Sequence, residues 1–236
     1  GKLTLSSELV QTPHNHYLWS TEEFEKWASP RKSLLLESFY REGRKRFEVL
    51  MDGKKPVGEK WNFDKENRKP AKGKISPPEP LTFEPDKITQ AVIESVNGAD
   101  YATFGDSDGF GWAVTREQAL EVLDYFVRDR LTTFGPYQDA MVTGQDTMRH
   151  ALLSPYMNIG LLQPMEVIDA IASAYEAAQA SDTPIPLNSV EGFIRQVLGW
   201  REYMRGIYNH VDEDYPSRNY FEHTTPLPDF FWTGAT

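Results

Sequence analysis

The spacing of apolar positions divides the chain into stretches of different character. Leu3 to Leu5 reads as the end of a buried strand, and Ser6 to Trp19, with its Pro, Asn and His, reads as loop. Ser20-Thr21-Glu22-Glu23 sets a hydroxyl ahead of two acids, which predicts a helix running to about Ala28. Leu35, Leu36, Phe39, Phe47 and Leu50 then recur at helical spacing, predicting a longer amphipathic helix from Arg31 to Met51, stopped by Asp52-Gly53. Residues 53–86 hold no period and are rich in Pro, Gly and Lys, the composition of an inter-domain linker. Beyond Asp86 the helical period returns, with helices expected over 86–97, 115–134, 146–159, 164–180 and 187–210 and a Gly-rich loop over 98–114.

The expected fold class is therefore mainly α. Residues 1–52 read as the end of an α/β domain, 53–86 as a basic linker, and 87–236 as the first part of a helical domain. A single strand leaves its backbone groups unpaired, so Leu3–Leu5 implies further sequence upstream.

Composition narrows the class. A hydrophobic content of 39% in 236 residues argues for a packed core and against disorder. The chain has no cysteine, so its own residues offer neither disulfides nor thiolate ligands. Neither a membrane-length apolar run nor a signal-peptide pattern occurs, and the expected setting is a monomer in the cytoplasm. The net charge of −10 is unevenly spread: residues 31–74 carry 14 basic against 7 acidic side chains. Such a segment is either a phosphate-facing patch or an ordinary solvated face.

Two segments carry candidate chemistry. In Leu152 to Pro164, Ser154 is placed to cap a helix with Pro155 at its first position, Gly160 to end it, and Pro164 to open the next. Free N–H groups at such a start can bind phosphate, although Ser-Pro is usually punctuation. In 187–210, Val190, Ile194, Val197, Arg201, Met204 and Tyr208 share one side, which buries a guanidinium in need of a partner. Gly192, Gln196, Gly199, Tyr203 and Gly206 form another side, and glycines seven residues apart imply close approach by a packed helix or a flat ligand.

Leu-Ser-Pro-Tyr-x-x-x-Gly-x-Leu-x-Pro (153–164) followed by Trp200-Arg201-Glu202-Tyr203 resembles the paired signature of the photolyase/cryptochrome family. The stretches Lys55 to Gly58, Trp61 to Asp64 and Glu66 to Pro70 resemble its bacterial branch with iron–sulfur (6-4) photolyases. The resemblance implies a helical domain binding flavin adenine dinucleotide (FAD), damaged DNA as partner, and light-driven repair. It also implies, for a longer parent protein, a lumazine-type antenna and a [4Fe-4S] cluster.

By the same resemblance Ser154, next to Leu153, matches a phosphate-binding serine. Tyr137 matches a cofactor-touching tyrosine, and His150 and Ala151 replace a common Thr-Ser pair. Arg201 lies beside the cofactor. Phe193 and Gln196 match an aromatic and a Glu/Gln with one residue of extra spacing. Trp200 faces the DNA lesion, with Arg68 and Lys69 of the linker toward phosphates. Residues completing the flavin cup, and the catalytic ones, would lie beyond Thr236. Two other readings stand beside repair: a cryptochrome photoreceptor, and a helical scaffold in which Arg201 pairs with an internal carboxylate and no cup opens beside Ser154.

Other clusters carry less. His14 and His16 lack metal-ligand spacing with a carboxylate, and Asp106-Ser107-Asp108-Gly109 lacks the remaining ligands of a calcium loop. Glu22-Glu23 and Asp212-Glu213-Asp214 have no geometric reason to form an acid–base pair.

Overall fold

A computed structural model describes residues 14–71, 76–100 and 105–234. The strand expected at Leu3–Leu5 lies outside them.

The first helix, α1 (Thr21–Ala28), starts where the hydroxyl and acids place it. Ser20 accepts from the N–H of Glu23, whose carboxylate accepts from Ser20 in return. The next helix is shorter than the periodicity implies: α2 covers only Leu36–Arg46. Residues 31–35 are not helical, and at the far end Glu48 and Leu50 adopt positive φ of 55° and 50°. Arg44 holds that turn. Its guanidinium is buried and donates to the carbonyls of Val49, Leu50 and Trp61. A residue that the charge count assigns to a surface patch is thus an internal clamp. A two-residue hairpin follows, β1 (Met51–Asp52) against β2 (Lys55–Pro56).

After a 3-10 turn over Val57–Glu59 the described residues up to Asp86 are irregular, but many are packed rather than free. Phe63 and Asn67 are buried; Phe63 N–H donates to Glu191, and Asn67 exchanges hydrogen bonds with Asn188. Asp64 forms an ion pair with Arg195.

The helices that follow are α3 (Lys87–Asn97), capped by Asp86, and α4 (Arg116–Tyr125), capped by Thr115 with Gln118. A π-helical turn over Phe126–Arg130 leads into α5 (Leu131–Tyr137). Then come α6 (Ser154–Asn158), α7 (Pro164–Ala178), α8 (Leu187–Ile194), a second π-helical segment (Arg195–Arg201) and α9 (Glu202–His210). A four-residue α10 (Phe230–Thr233) lies near the end.

Pro136 sits inside α5 without an N–H for the carbonyl of Thr132. The buried Ser189 hydroxyl donates to that carbonyl and accepts from Gly135 N–H, so α8 repairs the defect in α5. The helix expected over 146–159 shrinks to Ser154–Asn158. Met148 and Leu152 take positive φ of 45° and 58°, which interrupts a right-handed helix.

The main core joins Phe126, Leu131, Phe134, Leu153, Ile168, Ile171, Phe193 and Leu198 with their neighbours from α4 to the second π segment. A smaller aromatic cluster (Trp19, Phe24, Trp27, Phe39) packs α1 and α2 against α9. The three glycines of the last long helix each face protein. A Cβ on Gly206 would fall 2.1 Å from the Phe24 ring, one on Gly199 3.4 Å from Tyr40, and one on Gly192 2.9 Å from Gln138. Of the two alternatives for these glycines, packing holds and the flat ligand does not.

Candidate functional site

The two motifs meet at one cavity. Its volume is about 960 Å³, and its walls come from α5, the turn before α6, α6 itself, α8, the second π segment and α9. That volume is at the upper end of the range for cofactor clefts, and apolar groups dominate the walls.

His150, Leu153, Ser154, Phe193, Gln196 and Arg201 all line it. Tyr137, Trp200, Arg68 and Lys69 do not. Tyr137 is half-buried at the end of α5, one turn past Phe134, which reaches the wall in its place. Trp200 is 40% exposed on the protein's outside. Arg68 pairs at 2.9 Å with Asp139, itself a wall residue, so it reaches the rim indirectly. Lys69 is exposed, and its backbone N–H binds the carbonyl of Pro136.

Ser154 differs in detail from the expected cap. Leu153 precedes the helix, Ser154 is its first residue and Pro155 its second, and no side chain caps the start. The Ser154 hydroxyl is therefore left to the cavity side. The strained Leu152 backbone turns Leu153 into the core and leaves Ser154 exposed.

The π segment resets the phase of the last long helix. Val190 and Ile194 are buried in the core, Val197 is buried at the cavity wall, and Met204 and Tyr208 emerge at the cavity, 54% and 81% exposed. The side read from a straight helix therefore runs from the core at Val190 and Ile194 to the cavity at Val197, Arg201, Met204 and Tyr208, through the π segment. Arg201 Nη1 donates to the carbonyl of His16 at 2.6 Å, and Nη2 reaches that of Met157 at 3.5 Å. Glu202 Oε1 stands 3.6 Å from Nη1. The scaffold reading expects a carboxylate near Arg201, which is present; it also expects no cup beside Ser154, and there the cavity opens.

Tyr17 and Arg205 belong to this wall and escaped sequence reading. Two guanidinium groups lie over the Tyr17 ring, with Arg201 4.0 Å and Arg205 4.6 Å from its centre. Spacing alone could have flagged Arg205, which follows Arg201 by one helical turn. Nothing in a loop sequence marks Tyr17. Glu202 fixes the loop that carries it, accepting from the N–H groups of Leu18 (2.9 Å) and Trp19 (3.1 Å), while Arg205 donates to the Trp19 carbonyl. Burial pushes the Glu202 carboxyl up to about 7.

Several polar atoms of wall residues have no hydrogen-bond partner among the described residues: His150 Nε2, Arg201 Nε and both amide atoms of Gln138. Burial, helped by the nearby Arg130 guanidinium, holds the His150 imidazole below its usual range. The site thus combines flat apolar walls, a serine hydroxyl, two guanidinium groups and under-satisfied polar atoms. This suits a large, partly aromatic ligand carrying negative charge. Among the described residues no group of three or more His, Asp or Glu side chains could hold a metal ion.

Comparison with known proteins finds relatives for most of the chain. Residues 2–112 match the family described as deoxyribodipyrimidine photo-lyase-related protein. Over 220 residues, 93% of the chain, it is 48% identical to a protein of Agrobacterium fabrum named (6-4) photolyase. The chain spans 42% of that protein's length. It is also 35% identical, over 100 residues, to an uncharacterised protein of Acanthamoeba polyphaga mimivirus, covering 42% of this chain and 73% of the viral protein.

Proposed function

The chain belongs to the deoxyribodipyrimidine photo-lyase-related family, and from that premise we propose that it forms one wall of the FAD site of a light-driven DNA-repair enzyme of the (6-4) type. The observation that carries the proposal is the convergence of Ser154, Phe193, Gln196 and Arg201 on one cavity of about 960 Å³. The under-satisfied His150, Arg201 and Gln138 atoms support it, because a polar ligand would relieve them.

When bound in reduced form, the flavin would supply a light-excited electron for lesion repair. The chain's own residues have supporting tasks. Phe193, Val197 and Leu153 would exclude water from a bound cofactor, and Ser154 and Gln196 would offer hydrogen bonds to its polar groups. Arg201 fixes a positive charge at the wall and, through the His16 carbonyl, holds the loop that presents Tyr17. Damaged DNA would approach from outside, with the lesion flipped out of the duplex. Trp200 offers an exposed stacking surface to it, and Lys69 and Arg68 offer charge to the backbone. Arg68 would exchange its partner Asp139 for a phosphate.

A soluble, monomeric, cytoplasmic protein belongs to this reading, as does a lumazine-type antenna held by other parts of a longer polypeptide. A [4Fe-4S] cluster finds no thiolate in this sequence and would need ligands from other parts of a longer polypeptide. Among the described residues no helix is long and apolar enough to cross a membrane.

The test is repair of an oligonucleotide containing a (6-4) lesion by the native protein under blue light and in darkness. Light-dependent repair supports the proposal. A flavin-loaded protein that repairs nothing would instead be a cryptochrome-type photoreceptor.

A further inference from the structure

A second, smaller cavity of about 160 Å³ lies back to back with the first and shares Trp112, Ala151 and Leu152 with it. Leu81, Val122, Leu152 and Tyr156 make its walls largely apolar. Two loops close one side. Phe83 N–H donates to the Gly111 carbonyl at 3.0 Å, and Gly111 lies so near Thr82 that a Cβ there would fall 3.0 Å from the threonine. A dry cavity of about 150 Å³ lined by aliphatic and aromatic groups takes up benzene. The space here is that of one six-membered ring.

One feature departs from an apolar void. Arg130 contributes to the wall, is 1% exposed, and has no carboxylate in ion-pair contact among the described residues. Its Nη1 and Nη2 donate to the carbonyls of His150 (2.9 Å) and Pro78 (2.6 Å), but Nε has no partner. The two tyrosine hydroxyls of this wall are occupied: Tyr125 hydroxyl donates to the Glu79 carbonyl, and Tyr156 hydroxyl accepts from Ala113 N–H. Arg149 adds a second positive charge nearby. The Tyr125 ring lies 5.7 Å from the Arg130 guanidinium carbon and the Glu79 carboxylate acts on it only from a distance, so a cation whose hydrogen bonds go to neutral carbonyls stays under-compensated, and an anion beside it restores the balance.

We propose that this cavity is a second binding site, for a single aromatic ring bearing a carboxylate. The ring fills the space between Leu81, Val122 and Tyr156, and the carboxylate accepts from Arg130 Nε. The site does not depend on the flavin reading, because Arg130 and Leu81 lie outside the wall of the large cavity.

The probe is benzoate, titrated calorimetrically into the purified chain, with benzyl alcohol as its neutral counterpart. Saturable one-to-one binding is expected, with benzoate at least about tenfold tighter than the alcohol, because only the carboxylate forms a charge-assisted hydrogen bond to Arg130. Leu81→Trp fills the ring space without touching Arg130 and weakens benzoate at least tenfold. Thr82→Phe does the same from the exposed side, which guards against one variant failing to fold. Arg130→Met removes the preference for benzoate over the alcohol. Absence of saturable benzoate binding overturns the proposal. So does binding that survives both filling variants, because the probe is then held elsewhere.

Discussion

The guanidinium carbon of Arg201 lies 4.0 Å from the centre of the Tyr17 ring, although 184 residues separate them in the chain. The contact ties the loop ahead of α1 to the helix that carries the second motif, and it makes Tyr17 a wall of the large cavity. Arg201 secures the same loop through the His16 carbonyl, so its charge and its fork geometry act together.

Arg201→Met is therefore expected to lower stability by about 2 kcal/mol, the contribution of hydrogen bonds to a charged group, and to expose residues 14–19 to protease. Arg201→Lys keeps the charge but not the fork, so protection should return only in part. Limited proteolysis with mass spectrometry checks both. An unchanged cleavage pattern in Arg201→Met would refute the clamp.

Ser189→Ala leaves Thr132 C=O and Gly135 N–H without their shared partner inside the core. A loss of about 1–3 kcal/mol is expected by urea denaturation. In a Pro136→Ala background the restored N–H can serve Thr132, so the same change should cost measurably less. A double-mutant cycle with no coupling would contradict the repair of α5 by Ser189.

Glu202 and Glu191 are both pushed up to about 7 by burial, from an ordinary 4.5. Between those values the folded protein keeps protons that the unfolded chain has released. Stability accordingly falls as pH rises from about 4.5 to about 7 and is flat with respect to these groups above that. Glu202→Gln should reduce the slope in that window while still accepting from Leu18 or Trp19. Denaturation midpoints measured across the window decide it, and an unchanged slope would count against a raised Glu202.

Gly206→Ala drives a methyl group to within 2.1 Å of Phe24 and should cost about 1–3 kcal/mol by forcing α1 away from α9. Combining it with Phe24→Leu should relieve part of that cost. Thermal unfolding of the single and double variants measures the relief.

Much of this was legible in the sequence. Helix starts at Ser20, Asp86, Thr115 and Pro164 are local events, governed by side chains within three residues, and they fall where the residues place them. Six cavity residues were named by motif. Helix interruptions were less accessible, because the causes are tertiary. The end of α2 is held by Arg44 reaching the Trp61 carbonyl, and the π segment at Arg195–Arg201 has no propensity signature. Nor does a straight-helix projection say where that side leaves the core, with Val190 buried and Tyr208 81% exposed. Tyr17 was invisible for a similar reason, since its place depends on Glu202 and Arg201 far along the chain.

The most direct test of the central claim is the visible absorption spectrum of the native protein after incubation with FAD and removal of free cofactor, comparing wild type with Ser154→Trp. The indole would occupy the space beside α6 where the cofactor is placed. Flavin bands at one equivalent in the wild type, and at least tenfold weaker retention in the variant, are the predicted result. A colourless wild type, or a variant that retains flavin equally well, would show that this cavity is not the flavin site.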